Sequence, residues 1–181
     1  MSPDRSPSNI VCAAMPLGWQ TGIDMTASLD LIEEATIIKR SWNGRARSFA
    51  DPAFQLYKVT LTSGEGELKA PPFTRLMPGT EFEIVIEMDF EDFIATGGIV
   101  RTLIRDPYPG SIRVKNLGWD NIPFSIDGRV LTLATPAVTP VRISYRPVLQ
   151  VMVTEAPKPT ESASTKKVTW SLGLEEQGSD D

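Results

Sequence analysis

The sequence predicts an all-β protein, an antiparallel β-sandwich or barrel-like domain. Three observations predict it. Apolar and polar residues alternate with period two in several stretches. Turn residues separate those stretches at a spacing of roughly 8–12 residues. No apolar pattern of helical period is sustained beyond two turns. Hydrophobic residues form 41% of the 181 positions, enough to build a core.

Residues 1–20 read as an extended arm, because Ser-Pro, Ser-Asn and Met-Pro pairs punctuate them and no period emerges. The β pattern begins at Ala27. Asn43-Gly44, between Thr36–Trp42 and Arg45–Ala50, predicts a hairpin with a two-residue type I′ turn, in which both turn residues take positive φ. Asp51-Pro52 is suited to start one helical turn ending at Phe54. Gln55–Thr62 reads as a strand, Ser63–Gly66 as a flexible turn, and Pro71-Pro72 blocks regular structure. Met77-Pro78-Gly79 predicts a tight turn. The longest alternation follows, with Phe82, Ile84, Ile86, Met88 and Phe90 on one face and Glu81, Glu83, Glu87, Asp89 and Glu91 on the other. It predicts a single strand with a core face and an acidic face.

Ile99–Ile104 and Ser111–Lys115 read as strands around the rigid loop Asp106-Pro107-Tyr108-Pro109-Gly110. Asp127-Gly128 predicts a second type I′ hairpin, between Phe124–Ile126 and Arg129–Ala134. Val141–Tyr145 alternates cleanly, Pro147 interrupts the ladder, and Val148–Val153 resumes it. Residues 154–167 have linker composition and predict a projecting loop. Val168, Trp170, Leu172 and Leu174 then predict a last strand, antiparallel to 148–153. The closing run Glu175–Asp181 reads as solvated and acidic. The expected organisation is an arm over 1–20, a β-domain over 21–176 and a short acidic C-terminal tail over 177–181.

The absence of histidine restricts the chemistry most. It removes Ser-His-Asp and Cys-His catalysis and every His-ligated zinc site. One cysteine, Cys12, can form neither an internal disulfide nor a thiolate cluster. The expectation is a protein that is not an enzyme and has no cofactor, no catalytic residue and no metal site. A net charge of -5 argues against nucleic acid as a partner. No apolar run is long enough to span a membrane, and the N-terminus lacks the pattern of a signal peptide, so synthesis in a cytoplasm is expected.

The acidic face offers Glu83, Glu87 and Asp89, and Arg101, Arg113, Arg142 and Arg146 lie on other strand segments or at their ends, with Arg105 and Lys115 beside them. Alternate residues on a strand stand ~7 Å apart, too far for several carboxylates to clasp one ion unaided. The acids suit a solvated outer face, or pairing with the arginines across one sheet or between neighbouring subunits. Trp42, Trp119 and Trp170 read as core fillers before groove residues. Tyr108 and Trp119 sit in loops whose composition also suits a stacking surface for a carbohydrate ligand. The interface candidates are therefore Glu83, Glu87, Asp89, Arg101, Arg113, Arg142, Arg146, Tyr108 and Trp119.

Several segments in order carry a resemblance: IIKRSWNGRARSFADPAFQLYKVTLTSGEGELKAPPFTRLMPGTEFEIVIE, DGRVLTLATPAV, ISYRPVLQVMV and VTWSLGLEE. The order is an Arg-x-x-Asn-Gly hairpin, Asp-Pro-x-Phe, Pro-Pro, a Pro-Gly turn into a long strand, a Tyr-Arg-Pro strand and a closing Trp-Ser-Leu-x-Leu-Glu-Glu strand. Over about residues 30 to 176 it resembles a family of small structural proteins of tailed bacteriophages. Cysteines that this family often carries in its strands are absent here, and the 154–167 loop departs from the family's pattern. The resemblance implies a virion component, made in the bacterial host cytoplasm, that assembles with other virion proteins. It implies a tail or baseplate subunit in a ring of three, six or twelve copies. A head decoration or head–tail joining protein is the alternative place in a particle, and a carbohydrate-binding module the alternative class.

Overall fold

The structure, a computed structural model, describes residues 10–14, 25–32, 38–48, 55–64 and 75–178. Among these the chain consists of strands, turns and loops, with no α-helix. The strands are β1 (Val11–Cys12), β2 (Thr26–Leu31), β3 (Ile38–Arg40), β4 (Ala46–Ser48), β5 (Tyr57–Thr62) and β6 (Glu81–Val85). There follow β7 (Phe90–Ile94), β8 (Val100–Thr102), β9 (Arg113–Lys115), β10 (Phe124–Asp127) and β11 (Val130–Leu133). The last are β12 (Val141–Tyr145), β13 (Val148–Glu155), β14 (Thr160–Glu161), β15 (Val168–Thr169) and β16 (Ser171–Glu176). The all-β expectation is met. The chain divides into two compact units, one drawn from 1–83 and 150–181 and the other from 84–149, where the sequence suggested one β-domain over 21–176.

The first unit carries a six-stranded sheet in the order β1-β6-β13-β16-β5-β2. Alternate residues of three strands bury their side chains: Val59 and Leu61, Val151 and Val153, Leu172 and Leu174. Val153 lies opposite Leu174, the antiparallel pairing expected of 148–153 and 168–174. The intervening loop holds a short pairing of its own, Thr160 opposite Thr169.

Two strands of this sheet differ from expectation. Val11–Cys12 forms an edge strand, and Ile10 and Cys12 are buried, so this part of the presumed arm belongs to the core. Residues 1–9 and 15–20 lie outside the described residues, as do Asp51–Phe54, Glu65-Gly66, Pro71-Pro72 and 179–181. In the interior of the sheet Glu175 and Glu176 continue β16 instead of entering a solvated tail. Glu176 is buried, and its Oε2 accepts a hydrogen bond from the Tyr57 amide at 3.1 Å. An acceptor for a strand amide is the physical reason that this carboxylate is tolerated inside.

The turns follow glycine placement. Met77-Pro78-Gly79-Thr80 is a type II turn: the Thr80 amide donates to the Met77 carbonyl at 2.9 Å, and Gly79 has φ +88°. Nothing lies within 4 Å of where a Cβ would sit on Gly79. Gly79→Ala is therefore expected to cost about 1 kcal/mol from backbone strain alone, readable as a lowered urea midpoint with unchanged slope. The Asn43-Gly44 hairpin forms, but its loop has three residues. Ser41 and Arg45 close it, and only Gly44 takes positive φ, +78°. That is a type I turn followed by a left-handed glycine, so Asn43 needs no positive φ. The second hairpin shifts by one residue. Asp127 pairs with Val130, so the loop is Gly128-Arg129 with positive φ at the first position only, a type II′ turn.

The long acidic alternation is not one strand. β6 ends at Val85 and β7 begins at Phe90. Ile84, Val85 and Ile86 are buried in succession, which breaks period two, and Met88 is 45% exposed. The second unit holds two three-stranded sheets, β10-β11-β8 and β7-β12-β9. Their inner faces share one core of Ile94, Leu103, Val114, Leu131, Leu133 and Ile143, closed by Tyr145.

Candidate functional site

In the β7-β12-β9 sheet, period two sends Val141, Ile143 and Tyr145 inward and Arg142 and Ser144 outward. Arg142 lies opposite Phe93 on one side and Lys115 on the other; Ser144 lies opposite Glu91 and Arg113. Residues paired across antiparallel strands share a face. The outer face is thus two rows, Phe93–Arg142–Lys115 and Glu91–Ser144–Arg113. Arg142 ion-pairs with Glu91, and Arg113 lies 3.8 Å from Asp89. These acids and arginines meet within one sheet of one chain.

Trp119 covers one end of this face. Lys115 Nζ lies 5.1 Å and Arg142 Cζ 5.6 Å from the centre of its ring, both within cation–π range. The tryptophan sits in a tight loop at φ +66°, a conformation rare for a bulky residue. Hydrogen bonds hold it there: the Trp119 amide donates to the Asn116 carbonyl, the Asp120 amide to Asn116 Oδ1, and Asn116 Nδ2 to Asp120 Oδ2. Even so, 66% of Trp119 remains exposed. A shallow cleft of about 160 Å³ lies between this ring and Asp89, Glu91, Arg113, Arg142 and Ser144.

The structure therefore gathers Asp89, Arg113, Arg142 and Trp119 from the expected set and leaves the others elsewhere. Glu83 belongs to the first unit and accepts from Gln150 Nε2 at 2.6 Å. Glu87 is exposed and does not line the cleft. Arg101 donates to Asp92 Oδ2 at 2.7 Å, and that bond pushes the guanidinium pKa up further. Arg146 donates from Nε to the Ile86 carbonyl at 3.0 Å, with its guanidinium over the half-buried ring of Tyr108 at 5.6 Å. Tyr108 does not line the cleft beside Trp119. Phe93, 62% exposed, and Ser144 were not singled out from sequence. Phe93 becomes visible only once the break at 86–89 resets which residues of β7 face outward.

A second feature lies in the first unit. Trp42 stands at the apex of the β3–β4 hairpin and is 99% exposed, so the core reading holds for Trp170 and fails for Trp42 and Trp119. The apex is braced by hydrogen bonds from the Ser41 amide to the Arg45 carbonyl at 2.9 Å and from the Gly44 amide to the Ser41 carbonyl at 2.8 Å. Arg40 Nη1 also donates to the Gly44 carbonyl at 3.1 Å. Residues 38–48 contain Lys39, Arg40, Arg45 and Arg47 and no carboxylate, although the whole chain carries -5.

Among the described residues no group of three His, Cys, Asp or Glu side chains is placed to hold a metal ion, and no helix is long and apolar enough to cross a membrane. No protein-family model matches the chain. No curated protein matches it either.

Proposed function

We propose that the chain is a structural subunit of a tailed-phage virion, a tail or baseplate component working through protein–protein contacts. The observation that carries this reading is Trp42. A large apolar ring that is 99% exposed on a braced hairpin adds nothing to the stability of its own chain. Tryptophan and arginine are the residues that dominate the energy of protein contacts. A rigid apex bearing one and flanked by the other is suited to insert into a neighbour.

Sheet edges support the same reading. β10 and β8 are the two edges of their sheet. Phe124 and Ile126 on β10 share the face of the buried Leu133 and Leu131, yet remain 37% and 39% exposed. An edge with half-covered apolar residues accepts a further strand or a neighbouring surface. Mass spectrometry of purified virions of the phage encoding this chain is expected to find it in stoichiometric amount. A few to a dozen copies per particle would fit a tail or baseplate part, and hundreds would move it to the head as a decoration protein. Its absence from the particle would overturn the virion reading.

A further inference from the structure

We propose that the cleft beside Trp119 is a binding site for a neutral sugar ring. The flat face of a pyranose is made of C–H groups with slight positive charge, and it complements the negative face of an indole. Trp119 offers such a face, 66% exposed and fixed in position by the Asn116–Asp120 loop. Most ligand sites combine an aromatic wall with a few converging polar groups. Here the polar groups are of both kinds that hydroxyls require. Glu91 accepts, Arg142 and Arg113 donate, and Ser144 does both. At about 160 Å³ the cleft suits one ring, with the rest of a saccharide left in solvent.

Charge selects the ligand class. Arg142 is engaged with Glu91, and Arg113 faces Asp89 at 3.8 Å. An anionic ligand would compete with both carboxylates for these arginines. A hydroxyl pair can bridge an existing arginine–carboxylate pair and leave it intact, because each partner keeps spare donors or acceptors. Phe93, paired with Arg142 on the outer face, offers apolar surface to a second ring.

Saturation-transfer NMR on the intact chain, with glucose, galactose, mannose, N-acetylglucosamine and glucuronic acid as probes, tests this. Transfer to the ring C–H protons of at least one neutral sugar is expected. Trp119→Ala should weaken that binding at least about tenfold, and Trp119→Phe should retain most of it. The ring is mostly exposed, so Trp119→Ala should leave the melting temperature near that of wild type. If no neutral sugar shows Trp119-dependent transfer, or only glucuronic acid does, the proposal is overturned. Neither result bears on assembly through the Trp42 hairpin, which lies in the other unit.

Discussion

Tyr145→Ala is expected to lower the stability of the second unit by about 3–5 kcal/mol, enough to unfold a marginal domain. Tyr145 is 1% exposed at the end of β12, and its ring meets Phe90 edge-on at 6.1 Å between centroids. Its hydroxyl accepts from the Arg105 amide at 3.3 Å. Alanine would leave a cavity in the core and remove that acceptor. Tyr145→Phe keeps the ring and is expected to cost only about 1 kcal/mol. Burial pushes the Tyr145 phenol pKa up. The neutral form is thus favoured in the folded state, and this contribution is complete below the unfolded value of about 10. It is lost as pH rises through the raised folded value. Urea titrations read by near-UV circular dichroism should show wild type losing stability in that alkaline window and Tyr145→Phe losing less. A Tyr145→Ala protein with an unchanged midpoint would refute the packing described for this core.

Trp42→Ala is expected to weaken self-association by at least about 2 kcal/mol, roughly thirtyfold, without altering the fold. The exposed ring supports nothing within its own chain, so the urea midpoint should stay within about 0.5 kcal/mol of wild type. Arg40→Glu and Arg45→Glu should also weaken assembly, by less, and added salt should narrow the difference, because exposed charges are screened. Sedimentation of each variant over a dilution series separates these effects. Loss of folding together with loss of association would show that Trp42 acts inside the unit and not at a contact.

The strand pattern was legible where an uninterrupted strand turns one face to a core. Val141–Tyr145 was bounded correctly because its alternation matches a sheet buried on one side. The run 81–91 misled because alternation continues in the letters while the chain leaves one strand for another. Val85 between Ile84 and Ile86 was the signal, since three adjacent apolar residues cannot all face one side of a strand. The hairpins were legible from glycine, but their loop lengths depend on cross-strand register, which composition does not carry. Trp42 was open to a better reading. A residue directly before Asn-Gly sits at the turn, where its side chain points to solvent. The Trp119 cleft was out of reach, because it joins residues from three strands and a loop.

The most direct test of an assembling subunit is the mass of the purified wild-type chain by light scattering, read beside Trp42→Ala at the same concentration. The prediction is a discrete closed ring for wild type, of three, six or twelve copies, and smaller species for the variant. A wild-type chain that stays a monodisperse monomer at every concentration would contradict self-assembly, as would a ring that forms equally well without the Trp42 side chain.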